Sequence, residues 1–452
     1  MTSAVVRKPT FARGLHPADR KHFTAAAAIE VLPTPQEVLI PLLQHLGAPC
    51  EPAVKPRTEV ALGDVVGEAT KFVSAPVHAS VSGTTRRLSV ATLPNGRHVS
   101  AVPIKAAEEQ LLAGRDLFAD MFGGEWPTDG MDHYEPQQIA DAARGAGLVG
   151  LGGAAFPTHV KLTRNEEKPI RTLLINGCEC EPYLTADYRL MVEAPSPIVV
   201  GALLAARATG AEEVIVCVED NKPEAVEALR RATQQTGVEV RELKTKYPQG
   251  GEKQLVLAVC GAEVPTGGLP LDIGVVVLNV GTSAALARAV LRGKPLTHRI
   301  LSVSGSGIRQ PKNLLAAIGV SYRALIDYCG GLTPDAARVV AGGPMMGFTL
   351  GSLDVPVTKG TSGLTVLTRD DVRKAAETTC LRCGRCVDVC PVNLVATKIA
   401  LASQAGDLDL AERYHITACM ECGCCAYVCP ASVPLVQLIR QGKVSLQKAR
   451  GS

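Results

Sequence analysis

Two cysteine runs with the same spacing lie near the C-terminus and constrain this chain more than any other feature. Each has the pattern Cys-x2-Cys-x2-Cys-x3-Cys-Pro. The runs contain Cys380, Cys383, Cys386, Cys390 and Pro391, then Cys419, Cys422, Cys425, Cys429 and Pro430. A [4Fe–4S] cube needs four thiolates around one small volume, and this spacing supplies them from a tight loop and a turn closed by proline. The pattern therefore predicts two [4Fe–4S] clusters and one-electron transfer.

The ligands of each cluster are expected to come from both runs. In two-cluster domains with this spacing, the fourth cysteine of each run binds the other cluster. The predicted ligand sets are Cys380, Cys383, Cys386 with Cys429, and Cys419, Cys422, Cys425 with Cys390. Zinc sites or disulfides are the alternative, but zinc ribbons rarely use this run. Cys424 lies between two predicted ligands and is expected to be a non-ligating thiol.

Composition limits the other classes of function. The chain has 452 residues, 46% apolar content, 20% charged residues and a formal net charge of +3. This length and composition indicate a globular chain of about three domains. Acidic and basic residues are interspersed, so we expect no nucleic-acid binding. The sequence contains no stretch of 18 apolar residues and no signal-peptide pattern, so a cytoplasmic chain without its own membrane span is expected.

Changes of pattern along the chain predict a multidomain α/β protein. Prolines dominate the beginning, short β-branched runs follow, and strands then alternate with alanine-rich helices before the helical cysteine region. The predicted units are a wrapping segment at 1–55, a β module at 56–110, an α/β domain at 135–298, a small α+β unit at 299–350 and a helical two-cluster domain at 365–449. The β module resembles barrel-sandwich domains that carry biotin or lipoyl groups. It lacks a lysine at a hairpin tip, so a structural role without a covalent cofactor is expected.

A glycine-rich loop is the second strong feature. Five glycines lie between Gly145 and Gly153, and Phe156, Pro157 and Lys161 follow. Glycines let backbone N–H groups approach a phosphate closely, and a lysine can complete the anion site. A flexible linker is the alternative, although Phe156-Pro157 is too stiff and apolar for one. It is not a Rossmann fingerprint either, because no apolar strand directly precedes it.

A polar loop follows the predicted strand at 172–176. It contains Asn176, Glu179 and Glu181, which can hydrogen-bond a ring or a ribose if they lie at the carboxyl edge of a parallel sheet. A merely solvated loop is the alternative. Cys178 and Cys180 are separated by one residue, which is poor geometry for a redox disulfide.

Together these motifs resemble a known family. The loop at 150–161, the strand end at 176–182 and Asn279-Val-Gly-Thr282 are similar to the flavin- and NADH-binding subunit of respiratory complex I. Over residues 9–445 the chain resembles the C subunits of Rnf ion-translocating electron transport complexes. Further motifs that carry this resemblance are Gly14-Leu-His-Pro17, Ala75-Pro-Val-His78, Tyr247-Pro-Gln-Gly-Gly-Glu-Lys-Gln254 and Gly342-Gly-Pro-Met-Met-Gly347.

The resemblance implies a fold, cofactors and partners. It implies a Rossmann-like FMN- and NADH-binding domain and a soluble-ligand-binding β-grasp module at 299–350. The implied FMN contacts are Gly150, Gly152, Gly153, Lys161, Asn176, Glu179, Glu181 and Asn279. Phe156 would stack near the nicotinamide nucleotide, whose pocket Gly250, Gly251 and Glu252 would border. The chain would be a peripheral subunit on the cytoplasmic face of the inner membrane, with membrane-embedded and iron–sulfur partner subunits and ferredoxin as an indirect partner.

Two residues depart from the complex I pattern. Ala155 replaces the last glycine of the loop, which would place a methyl group close to the cofactor, and Gly281 replaces an acidic residue. Two other functions therefore stay open at this stage. One is a soluble flavin and iron–sulfur reductase of the cobalamin type. The other is a subunit that only conducts electrons and docks partners, without binding a nucleotide.

Overall fold

In the part of the chain that the structure describes, four sheets and a C-terminal group of helices follow one another. The computed structural model describes residues 8–372 and 376–451. An all-β module comes first, an α/β domain second, a mixed sheet with one helix third, and the helical cysteine region last. This order confirms the predicted fold class.

The β module consists of two antiparallel sheets. The first strands of the described chain are β1 Ile29–Val31, β2 Glu37–Pro41, β3 Glu51–Pro52, β4 Glu59–Val60, β5 Val65–Glu68, β6 Val77–His78, β7 Gly83–Thr85, β8 Ser89–Thr92 and β9 His98–Ala106. One sheet has the order β2-β9-β7-β4, with β8 also paired to β9, and the other has the order β3-β5-β6. Val38, Ile40, Val102 and Ile104 form its buried centre, as the β-branched runs predict.

The β module begins earlier than the boundary that the proline content suggested. Strands β2 and β3 lie within residues 1–55, which were expected to form only an extended wrapping segment. Pro41 and Pro52 are the last residues of these strands. Proline is tolerated at a strand end because few ladder hydrogen bonds are lost there, so proline content alone placed the boundary too late.

Residues 8–31 lie across three later parts of the chain. Leu15 and Tyr247 exchange two backbone hydrogen bonds of 2.8 and 2.9 Å, and the Gly14 N–H donates to the Val389 carbonyl. Further along, a 3₁₀ helix spans Lys21–Phe23, and β1 pairs in parallel with β15 Lys312–Ala317. This segment therefore contacts the α/β domain, the mixed sheet and the cysteine region. Residues 1–7 lie outside the described residues.

The α/β domain is built on a parallel sheet. Its strands β10 Thr172–Gly177, β11 Glu213–Glu219, β12 Glu239–Leu243 and β13 Val275–Asn279 have the order β12-β11-β10-β13. The helices of this part of the chain are α1 Gly114–Phe122, α2 Pro136–Gly145, α3 Thr158–Leu162, α4 Ala186–Glu193, α5 Pro195–Thr209, α6 Pro223–Ala232, α7 Glu252–Cys260 and α8 Val280–Arg292. Two 3₁₀ helices span Met131–His133 and Pro270–Ile273. Helix α5 packs closely on α8 because Gly201 leaves room for the Ser283 backbone. In this sheet the carboxyl ends of β10 and β13 lie side by side.

The third unit is a six-stranded mixed sheet. It contains β14 His298–Ser304, β15, β16 Ala336–Ala341, β17 Phe348–Thr349 and β18 Gly363–Thr368, with helix α9 Tyr322–Tyr328. The strand order is β1-β15-β14-β18-β16-β17. The predicted range of 299–350 omits β1 and β18, although β18 lies between β14 and β16 at the centre of the sheet. Because β18 follows a long connection after β17, proximity along the chain did not reveal its place.

The cysteine region repeats one local structure twice. Its helices are α10 Arg385–Asp388, α11 Ala396–Ala405, α12 Leu408–Arg413, α13 Cys424–Tyr427 and α14 Leu435–Ala449, with a 3₁₀ helix at Ile416–Ala418. Equivalent positions of the two runs share a positive φ: 54° at Arg382 and 58° at Glu421, then 58° at Asn393 and 53° at Ser432. Helices α11 and α14, one from each repeat, pack together. The sequence repeat is therefore also a repeat of backbone conformation.

Within the described residues, no single helix has the length and apolarity needed to cross a membrane. Helices α4 and α5 reach those limits only when they are taken together, and they meet at a bend of 96°.

Candidate functional site

The glycine-rich loop closes on itself and leaves its tip open. The Gly150 N–H donates to the Phe156 carbonyl at 2.8 Å, and the Ala155 N–H donates to the Gly150 carbonyl at 3.1 Å. Between them, the exposed residues 152–154 donate no backbone hydrogen bond to the described chain. Gly153 has a φ of +109°, which favours glycine. A tip of small residues with free amides fits a phosphate group.

The ends of the parallel strands lie beside this loop. Asn176 of β10 is in register with Asn279 of β13. The Asn176 amide donates to the Gly250 carbonyl at 2.9 Å. A Cβ at Gly152 would lie 3.4 Å from the Asn279 Cβ, so the loop packs directly on the strand end. The structure therefore brings together four residues that the sequence predicted from separate segments.

Lys161 and Glu252 form an ion pair at the edge of this region. The Lys161 Nζ lies 2.6 Å from Glu252 Oε1 and donates to the Val277 carbonyl at 3.0 Å. Both side chains are partly exposed, at 28% and 39%. The lysine thus lies at the predicted site with its charge already paired to a second predicted residue.

Glu179 and Glu181 bind the backbone of the chain itself. Glu179 accepts from the amides of Asp187 and Tyr188 at the start of α4. Glu181 accepts from the amides of Met345 and Met346 at 3.3 and 2.7 Å. Burial raises the pKa of Glu181 to about 7. The resemblance implied that both residues contact the flavin. In the structure their carboxylates bind backbone amides, and these hydrogen bonds hold α4 and the 342–347 loop in place.

Sequence reasoning missed two charged residues at this site. Asp187 accepts a hydrogen bond of 2.6 Å from the Asn279 amide, and burial raises its pKa to about 7, with Glu179 as the next cause. Arg299 is buried and donates to the Leu151 carbonyl at 3.1 Å. Asp187 had a weak signal, because it is an acidic residue in the first turn of a helix. Arg299 had none, since it lies in a strand of the third unit.

Ala155 does not place its methyl group at the loop tip. Its φ of +50° is unusual for a residue with a Cβ. A Cβ built at Gly360 would lie 3.3 Å from the Ala155 Cβ, so the methyl faces Gly360 and is buried there. The methyl therefore points away from the loop tip, where the cofactor was expected to approach. Gly281 serves a local structure, because its N–H donates to the Asn279 carboxamide oxygen at 2.8 Å and a Cβ there would lie 3.0 Å from that oxygen.

One predicted cluster site is a buried cavity. Its lining includes all four cysteines of the predicted set, Cys390, Cys419, Cys422 and Cys425. Cys390, Cys422 and Cys425 are buried, and Cys419 is partly exposed. Burial raises the pKa of Cys419 to about 11. We call this cavity the inner cluster site.

The other predicted set lies nearer the surface. Cys386 and Cys429 are buried in one apolar group, whereas Cys383 is exposed and Cys380 is partly exposed. The Thr378 amide donates to the Ala431 carbonyl at 2.9 Å, which ties the start of the first run to the turn after Cys429. We call this region the outer cluster site. Within residues 8–372 and 376–451, no three His, Cys, Asp or Glu side chains are placed to hold a single metal ion.

The inner cluster site touches the α/β domain. Tyr247 is buried and donates from its hydroxyl to the Cys422 carbonyl at 2.7 Å. Cys180, Met345 and Met420 pack in the same group as Cys422. Cys178 instead packs with Leu174 and Cys217 on another side of the loop, so Cys178 and Cys180 are not arranged as a dithiol pair.

Family models match four consecutive parts of the chain. The matches are the RnfC barrel sandwich hybrid domain at 9–109, the Nuo51 FMN-binding domain at 143–288, the SLBB domain at 300–349 and the 4Fe-4S dicluster domain at 373–430. These matches confirm the predictions of FMN and two [4Fe–4S] clusters as cofactors.

Relatives extend this result to the whole chain. It is 41% identical over 395 residues to the C subunit of the proton-translocating ferredoxin:NAD(+) oxidoreductase complex of Clostridium ljungdahlii, covering 87% of this chain and 84% of that one. It is 43% identical over 408 residues to the Na(+)-translocating counterpart of Acetobacterium woodii, covering 90% of each. It is 41% identical over 441 residues to the C subunit of the ion-translocating oxidoreductase complex of Rhodobacter capsulatus, covering 97% of this chain and 83% of that one. The chain belongs to this family of C subunits of ion-translocating oxidoreductase complexes.

A solved structure shares the fold. A chain of the NAD+-reducing [NiFe]-hydrogenase in the H2-reduced state matches with a TM-score of 0.51 at 20% identity, over 71% of this chain and 64% of that one.

Proposed function

We propose that this chain moves electrons between NAD(H) and two [4Fe–4S] clusters by way of FMN, within a membrane-bound complex whose other subunits translocate an ion. The observation that carries the proposal is that the segment from Tyr247 to Gly251 borders both the predicted flavin site and the inner cluster site. We call this segment the shared wall. Tyr247 precedes Gly250 and Gly251 of the predicted nucleotide pocket and hydrogen-bonds the backbone of Cys422. A Cβ at Gly251 would lie 2.7 Å from the Met420 Cε. Short separation favours direct electron transfer between the two sites.

The proposed FMN site uses the glycine loop and the strand ends. The free amides at Gly152 and Gly153 would bind the phosphate, while Asn176 and Asn279 would hold the polar part of the flavin. FMN supplies the conversion between two-electron hydride transfer and one-electron transfer. Phe156, Gly250, Gly251 and Glu252 would border the nicotinamide nucleotide. Glu179 and Glu181 would act indirectly, because their carboxylates hold backbone around the site.

The two clusters would act in series. Cys390, Cys419, Cys422 and Cys425 would bind the inner cluster, and Cys380, Cys383, Cys386 and Cys429 the outer one. The inner site packs against the α/β domain. The outer site has an exposed ligand, Cys383, beside Leu381, which is 66% exposed. We infer that the inner cluster exchanges electrons with the flavin and the outer cluster with a partner subunit.

The partners follow from the relatives. Their names describe complexes that couple ferredoxin:NAD(+) oxidoreduction to movement of protons or Na(+). We infer membrane-embedded and iron–sulfur subunits as partners here, with ferredoxin acting through them, and a position on the cytoplasmic face of the membrane. The matched ranges 9–109, 143–288, 300–349 and 373–430 support the proposed division of the chain into four domains.

An anaerobic NADH titration tests the proposal. The full chain, with its clusters reconstituted and FMN supplied, is titrated while flavin absorbance and cluster EPR signals are followed together. Bleaching of the flavin with reduced-cluster signals is the expected result. Clusters that are intact but do not respond to NADH, with no uptake of FMN, would overturn the proposal and leave a subunit that only conducts electrons between partners.

A matched pair of variants makes this test specific. Gly153→Val places a branched side chain at a position with a φ of +109° at the loop tip and should abolish FMN uptake. Gly267→Val, at a φ of +78° with open space around it in the same domain, carries comparable backbone strain away from the loop. It should leave FMN uptake intact.

A further inference from the structure

Two buried cations lie behind the glycine loop. Lys359 is 1% exposed and Arg299 is 5% exposed. The Lys359 Nζ donates to the carbonyls of Pro76 and Gly147 at 2.5 and 2.7 Å. One Arg299 Nη donates to the Leu151 carbonyl at 3.1 Å. Both side chains come from the third unit or the connection that precedes β18, so they reach the loop from outside its own domain.

These cations are not neutralised in the usual way. In the part of the chain that the structure describes, neither forms a direct ion pair, although Asp187 is near enough to Arg299 to raise its pKa against the larger effect of burial. Burying a cation with only carbonyl acceptors is costly. Burial lowers the pKa of Lys359 to about 7 and that of Arg299 to about 10. The free-energy cost of burying these two cations indicates that they have a role beyond stabilising the fold.

The backbone carbonyls that accept hydrogen bonds from these cations indicate this role. Gly147 and Leu151 are residues of the glycine loop, and their carbonyls point toward Lys359 and Arg299. The Leu151 carbonyl belongs to the same peptide group as the Gly152 N–H. That N–H belongs to an exposed residue and donates to nothing in the described chain. A cation bound to the carbonyl end of a peptide group polarises it and strengthens its N–H as a donor.

A second contact fixes the position of Arg299. Its guanidinium also donates twice to the Thr361 carbonyl, each time at 3.1 Å. Thr361 lies two residues after Lys359, and Gly360 between them faces Ala155 of the loop. The segment 359–361 therefore supports the back of the loop from Gly147 to Ala155.

We propose that Arg299 and Lys359 are positioning residues for the FMN phosphate: both hold carbonyls of the glycine loop away from the pocket, and Arg299 also strengthens the free Gly152 amide that faces it. We call this pair the cation brace. The proposal rests on the proposed function, because it assigns the phosphate of FMN to the loop. Neither residue touches the ligand itself.

Binding of FMN compared with riboflavin tests the brace. Riboflavin lacks the phosphate, so a loss specific to the phosphate appears in FMN affinity alone. The full cluster-containing chain, freed of flavin, is titrated anaerobically with each ligand by quenching of flavin fluorescence. Arg299→Met should weaken FMN about tenfold or more, as expected for loss of a charge-assisted interaction, and should change riboflavin affinity little. Lys359→Met should act in the same direction.

Two further variants serve as controls. Arg299→Lys keeps a cation and should recover part of the FMN affinity. Lys312→Met removes a lysine that pairs with Glu30 at 2.7 Å in the same sheet, away from the loop, and should leave both affinities unchanged. If Arg299→Met does not fold, Arg299→Lys and Lys359→Met carry the test through the ratio of the two affinities.

The possible outcomes separate this inference from the proposed function. Equal weakening of FMN and riboflavin would show that the brace only supports the fold, and the inference would be overturned. Unchanged FMN affinity in Arg299→Met and Lys359→Met would overturn it as well, while the proposed function stood. A wild-type chain that binds no FMN would overturn both.

Discussion

The two cysteine runs share one spacing and one backbone conformation, yet their surroundings differ. The inner cluster site lies in a cavity and contacts Tyr247 and Met345 of other units. The outer cluster site has an exposed predicted ligand, Cys383, and an exposed leucine, Leu381. The local sequence therefore sets the ligand loop, while the residues around each loop determine which part of the electron path it can serve.

Side chains at equivalent positions produce this difference. Glu421 of the second run pairs with Arg440 and Lys443 at 2.9 and 2.7 Å, which anchors its loop to α14. Arg382, at the same position of the first run, is exposed. A buried and anchored cluster loop suits fixed transfer inside the chain, whereas an exposed loop suits contact with a partner.

Substitution of the fourth cysteine of either run should have the largest effect on cluster content and on reduction by NADH. Cys390→Ser should remove the inner cluster, although Cys390 belongs to the first run, and should stop reduction of the outer cluster by NADH. Cys429→Ser should remove the outer cluster and leave the inner one reducible. Iron content should fall by half in each variant, and EPR after addition of NADH distinguishes them.

The reverse pattern would contradict the assignment. If Cys390→Ser kept NADH-dependent reduction of the remaining cluster while Cys429→Ser lost it, each run would bind its own cluster or the order of the sites would be inverted. Cys260→Ser alters an exposed cysteine of α7 and should change neither iron content nor reduction.

Alanine substitutions at two equivalent glycines, one in each cysteine run, should lower the free energy of unfolding by different amounts. Gly384 and Gly423 have φ values of +78° and +82°, so either substitution should cost about 1 kcal/mol of backbone strain. A Cβ at Gly423 would also lie 2.5 Å from the Met345 carbonyl oxygen, whereas Gly384 has open space. Gly423→Ala should therefore cost about 1–3 kcal/mol more. Denaturation monitored by cluster absorbance measures the difference, and equal losses would show that the inner loop is not tightly packed.

Removal of one hydroxyl group should affect the inner site by a smaller amount. Tyr247→Phe leaves the buried Cys422 carbonyl without its 2.7 Å donor, at a cost of about 1–2 kcal/mol in the free energy of unfolding. The inner-cluster EPR signal should change and the outer one should not. Tyr427→Phe is the matched control, because Tyr427 is 54% exposed. If Tyr247→Phe and Tyr427→Phe changed the unfolding free energy and the EPR signals equally, the contact of Tyr247 with Cys422 would no longer support direct electron transfer between the two sites.

The two clusters and the closed glycine loop were predictable because their chemistry is local. Spacing within one loop decides whether thiolates can surround a cube, and glycines clustered in one segment indicate a close approach of backbone. The pairing of Asn176 with Asn279 was also within reach, since parallel strands end at one edge.

The partners of charged groups were not predictable, because they depend on contacts between distant segments. Glu181 binds amides 164 and 165 residues away, and Arg299 reaches a carbonyl 148 residues away. No periodicity or spacing encodes such pairs. Ala155 shows the same limit: comparison of motifs located the substitution, but only the fold shows that its methyl faces Gly360 rather than the loop tip.

Ala155→Gly should give the smallest effect and bears on the contrast between the flavin site and the cluster loops. Glycine would relieve strain of about 1 kcal/mol at a φ of +50°. Loss of a buried methyl and greater freedom of the unfolded chain should offset most of this gain. The free energy of unfolding should therefore change by less than about 1 kcal/mol, with FMN affinity nearly unchanged because the methyl faces away from the loop tip. Isothermal titration with FMN measures the second quantity, and a large gain in affinity would mean that the methyl does obstruct the cofactor.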